Sequence, residues 1–336
     1  MTMNCRGYFD RYLQRVDLLK ETMKSASPDV IGCQEVMVNG AGMDEDLAGF
    51  LNFKAYSDAG ILTSLFTCGS AGGEYGPLVT LIFVGILRCL NFALTIPFAG
   101  RLVGLMPLVL ETLREKVGRL IGVDIFNLYY VTLGAFFGIS TFVDTSHYKV
   151  ARFAKLVLQP KGVRKHLGTA TRVLIRSRET GKALFWFVNI HYIHFTNDEG
   201  KRMRVEECKR VLKWMQGCTG ETDRCIIAGD HNTLMKNEGI FKLMKANGYE
   251  SAHKKIHGKE PESTWPTGLK SIYMDTDGFD LPAVKNGGGI CLDFIFFRGK
   301  GLTVKDAGVV GNKPSPEDKT LYPSDHAAIW ADILVE

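Results

Sequence analysis

No two cysteines stand at the spacing of a zinc knuckle or a redox pair: Cys5, Cys33, Cys68, Cys89, Cys208, Cys218, Cys225 and Cys291 are scattered singly through 336 residues. A reducing compartment is the simplest reading. There is no internal repeat, so a stacked-repeat architecture has no support. There is no block of like charge either, because the formal +5 is spread along the chain and makes only a weak case for an anionic partner. The opening MTMNCRGYFDRYLQR lacks the basic start and apolar stretch of a signal peptide, so secretion by that route is not expected.

What is present divides into two kinds of sequence. Residues 77 to 110 carry only Arg88 and Arg101 as charges, and residues 125 to 143 carry none, so either stretch approaches the length of a bilayer. The alternative is a set of buried helices within an all-protein core, which interruptions at Pro97, Arg101 and Pro107 would suit. The weight lies with membrane association. The rest of the chain is polar and basic, and long enough to bury a core without disulfides.

Phe9, Tyr12, Leu13, Val16, Leu19 and Met23 recur at helical spacing until Ser27-Pro28 stops them, which predicts an amphipathic helix. PDVIGCQEV then reads as a buried strand with Glu35 at its end. Beyond the apolar region ARFAKLVLQ, TRVLIRS and ALFWFVNIH read as strands. A second helix has Val205, Cys208, Leu212 and Met215 on one face and Lys201, Arg202, Arg204, Lys209 and Arg210 mostly on the other. RCIIAGD, CLDFIFF and AAIWADILV are further strands, and a helix near 234 to 246 ends at Asn247-Gly248. Alternating strands and helices predict a layered α/β domain whose strand ends converge on one site.

The polar residues at those ends are, in order, Asn4, Glu35, Asn189 with His191, Asp230 with Asn232, Asp293, and Asp325 with His326. Their contexts, TMN, CQEV, NIH, GDHN and PSDH, resemble the TxN, QE, NxH, GDxN and SDH motifs of the endonuclease/exonuclease/phosphatase superfamily. The resemblance covers residues 1 to 36 and about 136 to 334. It implies a DNase I-like, four-layered α/β sandwich of two mixed sheets flanked by helices. The catalytic domain would comprise residues 1–60 and 133–336, interrupted by an apolar helical insert at 77–132.

Cleaving a phosphate ester needs a hard cation on the phosphoryl oxygens, an activated water and stabilisation of the charge that develops. The resemblance implies Glu35 as main magnesium ligand with Asn4 and Asp325 completing the shell, manganese being a substitute. It gives Asp230 a proton-handling role, and Asn232 and Asn189 contacts to the substrate phosphate. His326 matches the catalytic histidine, Asp293 the carboxylate that fixes its tautomer, and His191 a second histidine donating to the phosphate. His194 has no motif, His231 reads as an exposed loop side chain, and His147, His166, His253 and His257 read as surface positions.

NIHYIH in place of a tyrosine-proline-asparagine segment disfavours abasic-site repair, and Phe294 after Asp293 disfavours inositol polyphosphate 5-phosphatases. The NxH group remains: sphingomyelinases, deadenylases, DNase-like nucleases and tyrosyl-DNA phosphodiesterases. An apolar insert tilts the expectation towards a lipid headgroup at a membrane, with the catalytic domain facing the cytosol. A membrane-anchored nuclease or deadenylase, and an inactive binding module, are the alternatives. Because Glu35 must meet the later motifs, the insert has to leave and return on one side. FFGISTFVD resembles a sheet strand of the family, which places a helical hairpin within 77 to 132, with Arg114, Lys116 and Arg119 near the cytosolic face.

Overall fold

The structure is a computed structural model that describes residues 1–7, 10–38, 42–58, 137–158, 168–218, 220–233, 239–270, 284 and 286–336. The insert expected at 77–132 lies outside these. Among the described residues no helix is long and apolar enough to cross a membrane.

Two six-stranded mixed sheets pack face to face among the described residues. The first is built from β1 (Thr2–Asn4), β2 (Val30–Met37), β3 (Lys54–Asp58), β4 (Phe137–Val143), β11 (Leu302–Val310) and β12 (Ala328–Val335), in the order β11-β12-β1-β2-β4-β3. The second contains β5 (Tyr148–Val157), β6 (Thr169–Ser177), β7 (Ala183–His191), β8 (Cys225–Asp230), β9 (Glu250–Ser251) and β10 (Asp293–Arg298), in the order β5-β6-β7-β8-β10-β9. Parallel pairing joins β1 to β2 and β7 to β8. Helices α1 (Tyr12–Ser25) and α2 (Met43–Leu51) cover the first sheet, where Leu19, Met23 and Leu47 pack with Met3, Ile31, Cys33 and Met37. Helix α3 (Asp198–Gln216) buries Cys208, Val211, Leu212 and Met215 against the second. Short helices α4 (Ile240–Ala246) and α5 (Ala252–His257) follow it. This is the expected helix–sheet–sheet–helix sandwich.

Local chemistry explains the elements. β7 and β8 are near-continuous apolar runs because both their faces are covered. α3 starts where the Asn197 side chain accepts from the Gly200 N–H at 2.8 Å, with Asp198 and Glu199 in its first turn. Between the sheets a Cβ on Gly32 would lie 3.0 Å from the Asn189 amide, so only glycine allows that approach. Gln34 Nε2 donates to Asn189 Oδ1 at 2.7 Å and to Thr2 Oγ1 at 3.0 Å.

Several expectations shift. Within FFGISTFVD, Phe137–Val143 is sheet as read and forms β4. The stripe of α1 runs through Arg15 rather than Leu13, which is 61% exposed, while Arg15 is fully buried. Glu35 is not at a strand end: β2 continues to Met37, and its pairing with β4 shifts register between Cys33 and Val36. The last helix of the sequence reading is α4, capped by Gly248 at φ 79° as expected; residues 234–238 lie outside the described part. Strands β3, β9 and β11 and helices α2 and α5 had no counterpart in the sequence reading.

Candidate active site

The sheets bring their polar residues together at one end. His191 closes β7, Asp230 closes β8 and Asp293 opens β10, and the three are register partners, His191 with Asp230 and Asp230 with Asp293. Neighbours in one register row point to the same face. Gly229 makes the row attainable, since it sits at φ 151° and a Cβ there would lie 2.0 Å from the Ile190 carbonyl oxygen. On the facing sheet β1 ends in Asn4, and the irregularity in β2 leaves Glu35 in left-handed backbone at φ 51°. A bulge of this kind re-aims a side chain, and here it delivers Glu35 to Asn4.

Asn4 joins the sheets: its Nδ2 donates to Glu35 Oε1 at 3.0 Å and to Asp230 Oδ2 at 3.2 Å. His191 Nε2 stands 3.7 Å from Asp230 Oδ2 and 4.0 Å from Glu35 Oε1. His326 Nδ1 lies 2.9 Å from Asp293 Oδ2, and its Nε2 lies 3.8 Å from Asp230 Oδ2. Asn232 stays on the same loop, its N–H donating to Asp230 Oδ1 at 2.8 Å and its Nδ2 to the Tyr192 carbonyl at 2.9 Å. Asp325 reaches this group indirectly, through neighbouring His326 and through Arg6, whose Nε lies 3.6 Å from its Oδ2. Trp265 Nε1 donates to the same oxygen at 3.3 Å.

The electrostatics divide the roles. Burial, reinforced by the like charge of Asp293, pushes the Asp230 carboxyl up to about 7, which poises it as a proton acceptor at neutral pH. Burial alone would lower His326, but the charge and hydrogen bond of Asp293, then Asp230 and Asp325, raise it to about 10 and keep the imidazole cationic. His191 is pushed down by burial, with Glu35 opposing and His326 adding to the effect. Burial disfavours the Asp325 carboxylate, yet Arg6, His326 and Arg15 outweigh it and hold the group below the usual range.

Asp230, Asp293 and His326 present ligand atoms within 4.8 Å of one another, and such a group could hold a divalent metal if His326 gave up its extra proton on binding. Glu35, whose Oε1 accepts from Asn4 Nδ2, adds a partly exposed carboxylate beside this group. The donor chemistry fits a hard cation. Asp293 Oδ1 is buried with no hydrogen-bond partner among the described residues.

The sequence profile described as the Endonuclease/Exonuclease/phosphatase family matches residues 1–326. The chain belongs to the endonuclease/exonuclease/phosphatase family. It is a phosphoester hydrolase by that membership, and its sheet arrangement is the DNase I-like one. Solved family structures with the same fold include the human Nocturnin catalytic domain with bound sulfate, 16% identical, covering 97% of this chain and 88% of that one with a TM-score of 0.60. A Bacteroides thetaiotaomicron mannosyl-6-phosphatase is 14% identical, covering 99% and 98%, with a TM-score of 0.61. TDP2 from D. rerio, complexed with a single-stranded DNA product, is 13% identical, covering 99% and 96%, with a TM-score of 0.53. No curated protein sequence matches.

Among this family member's expected site residues, the structure gathers Asn4, Glu35, His191, Asp230, Asn232, Asp293 and His326, with Asp325 beside them. It separates Asn189, expected to touch substrate. That side chain is fully buried between the sheets, its Nδ2 donating to the Cys33 and Ser140 carbonyls at 3.0 Å each. Asn189 ties the sheets behind the site instead. His231 is not an exposed loop residue but fully buried, its ring meeting Tyr192, Phe294 and Phe296 edge to face. Arg204 is likewise not on a solvated face: its Nη1 donates to the Ile193 carbonyl at 3.0 Å, while Glu207 Oε2 accepts from the Ile193 N–H at 3.0 Å. This pair, one turn apart on α3, grips the chain just after His191. Arg6, Arg15, Trp265 and the Arg204–Glu207 pair were missed. An arginine in an otherwise apolar helical stripe was the available signal for Arg15.

Proposed function

We propose that the chain is a magnesium-dependent phosphodiesterase of the NxH group that acts on a lipid headgroup at a membrane surface. One observation carries the chemistry: His191, Asp230 and Asp293 stand in a single row, with His326 paired to Asp293 and Asn4 bridging Glu35 to Asp230. Asp230 accepts the proton of the attacking water as that oxygen bonds to phosphorus and the ester bond on the opposite side breaks. His191 and Asn232 donate to the phosphoryl oxygens, and His326, kept charged and oriented by Asp293, stabilises the negative charge that builds there. Glu35 and Asn4, with Asp325, would hold magnesium, which supplies Lewis-acid polarisation of the phosphoryl group. The intact set of acidic and histidine side chains counts against an inactive binding module.

The lipid reading draws support from where the apolar region joins the fold. Asp58, the last residue of β3, pairs with Ile139 of β4, so the chain leaves and re-enters side by side. Thr169 Oγ1 donates to Asp58 Oδ2 at 3.5 Å, and Thr169 is the register partner of His191. The described chain thus stops at Asp58 and resumes at Phe137 on the catalytic side of this sheet, and a membrane held by the apolar region would lie near the site with the catalytic domain on the cytosolic side. The DNA product bound to the D. rerio TDP2 favours a second reading, a membrane-anchored nuclease or deadenylase.

The test is a panel of sphingomyelin and phosphoinositide vesicles, poly(A) and DNA, assayed with magnesium and with chelator. Wild type should turn over a vesicle substrate fastest, and Asp230→Ala and His326→Ala should abolish turnover while remaining folded. Unchanged turnover in both variants sinks the reaction, and preference for poly(A) or DNA hands the substrate to the second reading. Deleting residues 77–132 should move the protein from the membrane fraction to the supernatant, and an intact protein already in the supernatant refutes the anchor.

A further inference from the structure

Arg15 is a fully buried arginine on α1, and a guanidinium has five N–H donors in a fixed planar fork. Every one of them lands on a backbone carbonyl. Nε donates to Asp10 O at 3.1 Å, Nη1 to Cys5 O at 3.0 Å and Pro323 O at 2.8 Å, and Nη2 to Arg6 O at 3.2 Å and Gly7 O at 2.9 Å. Four of these carbonyls belong to the loop that follows Asn4. The fifth belongs to the residue before Ser324, Asp325 and His326. One side chain therefore fastens the first motif of the site to the last.

The loop it holds needs holding. Arg6, Gly7, Asp10 and Arg11 all have left-handed backbone, with φ of 58°, 48°, 48° and 65°, a conformation that residues with a Cβ keep only when their surroundings impose it. The same loop reaches the remaining ligand candidate. The Gly7 N–H donates to the Glu35 carbonyl at 2.7 Å, the Cys5 N–H to the Gln34 carbonyl at 2.8 Å, and the Arg6 N–H to Asn4 Oδ1 at 3.0 Å. Arg6 in turn stands beside Asp325.

We propose that Arg15 is a positioning residue: by saturating its fork with carbonyls from both segments it fixes Asn4, Glu35 and Asp325 relative to one another, and so sets the affinity of the site for its divalent cation. The inference rests on the reading of those three residues as the magnesium shell. The competing account, Arg15 as a simple counter-charge to Asp10 and Asp325, makes a different forecast for lysine. Lysine keeps the charge but its three donors radiate from one nitrogen and cannot reach carbonyls on both sides.

The experiment compares wild type with Arg15→Lys, using Mn2+ binding by electron paramagnetic resonance and the Mg2+-induced rise in Tm, alongside hydrolysis. The Mn2+ dissociation constant should rise by about tenfold or more, as for other groups that orient metal ligands, and the Mg2+-induced Tm rise should shrink. Hydrolysis should recover in large part at saturating Mg2+. A folded Arg15→Lys that binds Mn2+ as wild type does overturns the inference in favour of the counter-charge. Wild type that binds no Mn2+ removes the metal reading itself, a distinguishable failure. Should Arg15→Lys not fold, the Arg15 Nε–H signal of wild type decides: it should shift when Mg2+ is added, and a signal that stays in place overturns the proposal.

Discussion

Replacing Asp293 by asparagine should carry both limbs of the pH–rate profile to lower pH. In the wild-type protein the acidic limb should follow Asp230, raised to about 7, and the alkaline limb His326, raised to about 10. Asp293 contributes to both shifts: its like charge adds to burial in raising Asp230, and its carboxylate 2.9 Å from His326 Nδ1 is the main influence raising the imidazole. Asparagine has nearly the same shape and no charge, so Asp230 ionises at lower pH and His326 falls from about 10 towards its ordinary 6.5, with Asp230 and Asp325 still supporting the cation against burial. Loss of the whole shift would weaken the preference for imidazolium by roughly 5 kcal/mol at 1.36 kcal/mol per pKa unit, which is the upper bound for this substitution. The asparagine amide can also hold the wrong imidazole tautomer, an effect on the order of 10⁴-fold in kcat at a comparable histidine–carboxylate pair. The assay is kcat/KM for a chromogenic phosphodiester from about pH 5 to 10.5 at saturating magnesium. An alkaline limb that stays in place, or limbs that move in opposite directions, would refute the assignment of the pair.

Three further outcomes follow from buried polar groups. Burial raises Glu207 from 4.5 to about 8, so the native protein keeps a proton that the unfolded chain releases, and stability should fall as pH rises across that window. Glu207→Gln should flatten this fall in Tm, and equal slopes in the two proteins would count against it. His231 is pushed down to about 3 by burial, so its contribution is intact above about pH 6.5 and is lost as pH drops below it. His231→Leu should remove roughly 3 kcal/mol of that acid sensitivity at pH 4, read by urea denaturation, and an unchanged acid transition would show the ring is solvated. Asn189→Asp would set a carboxylate against the Cys33 and Ser140 carbonyls and should cost about 3 kcal/mol or more by denaturant melt; a neutral result would mean the sheets do not rely on that tie.

Much of the site was legible because its side chains sit where strands stop, and strand ends show in sequence as an apolar run breaking into Asp, Asn or His. Asp230 and Asn232 share one loop, and Asp325 and His326 are adjacent, so their grouping needed no knowledge of the fold. Arg15 and Arg204 were not legible for a physical reason. A charge in an amphipathic pattern reads as solvated, and what buries these two is a set of backbone carbonyls brought in from distant or irregular chain. Glu35 was placed at a strand end because a register shift leaves no local mark in VIGCQEVM. His231 looked exposed because the aromatic rings that enclose it come from β10 and from the residue after β7. β3 was hidden by its brevity and by the polar KAYSD it is made of.

The pairing of Asp58 with Ile139 has a consequence for how this domain tolerates the length of chain between β3 and β4. Strand neighbours fix the two ends of the intervening chain a few ångströms apart whatever its length, and closing a flexible loop costs only about 0.6 kcal/mol more for each doubling. The sheet therefore senses a long connection from β3 to β4 as little more than an oversized turn. Chain of very different size or character could be exchanged between β3 and β4 with the catalytic row left in register. The connection between β3 and β4 is thus a place where new sequence could be accepted at least expense to the fold.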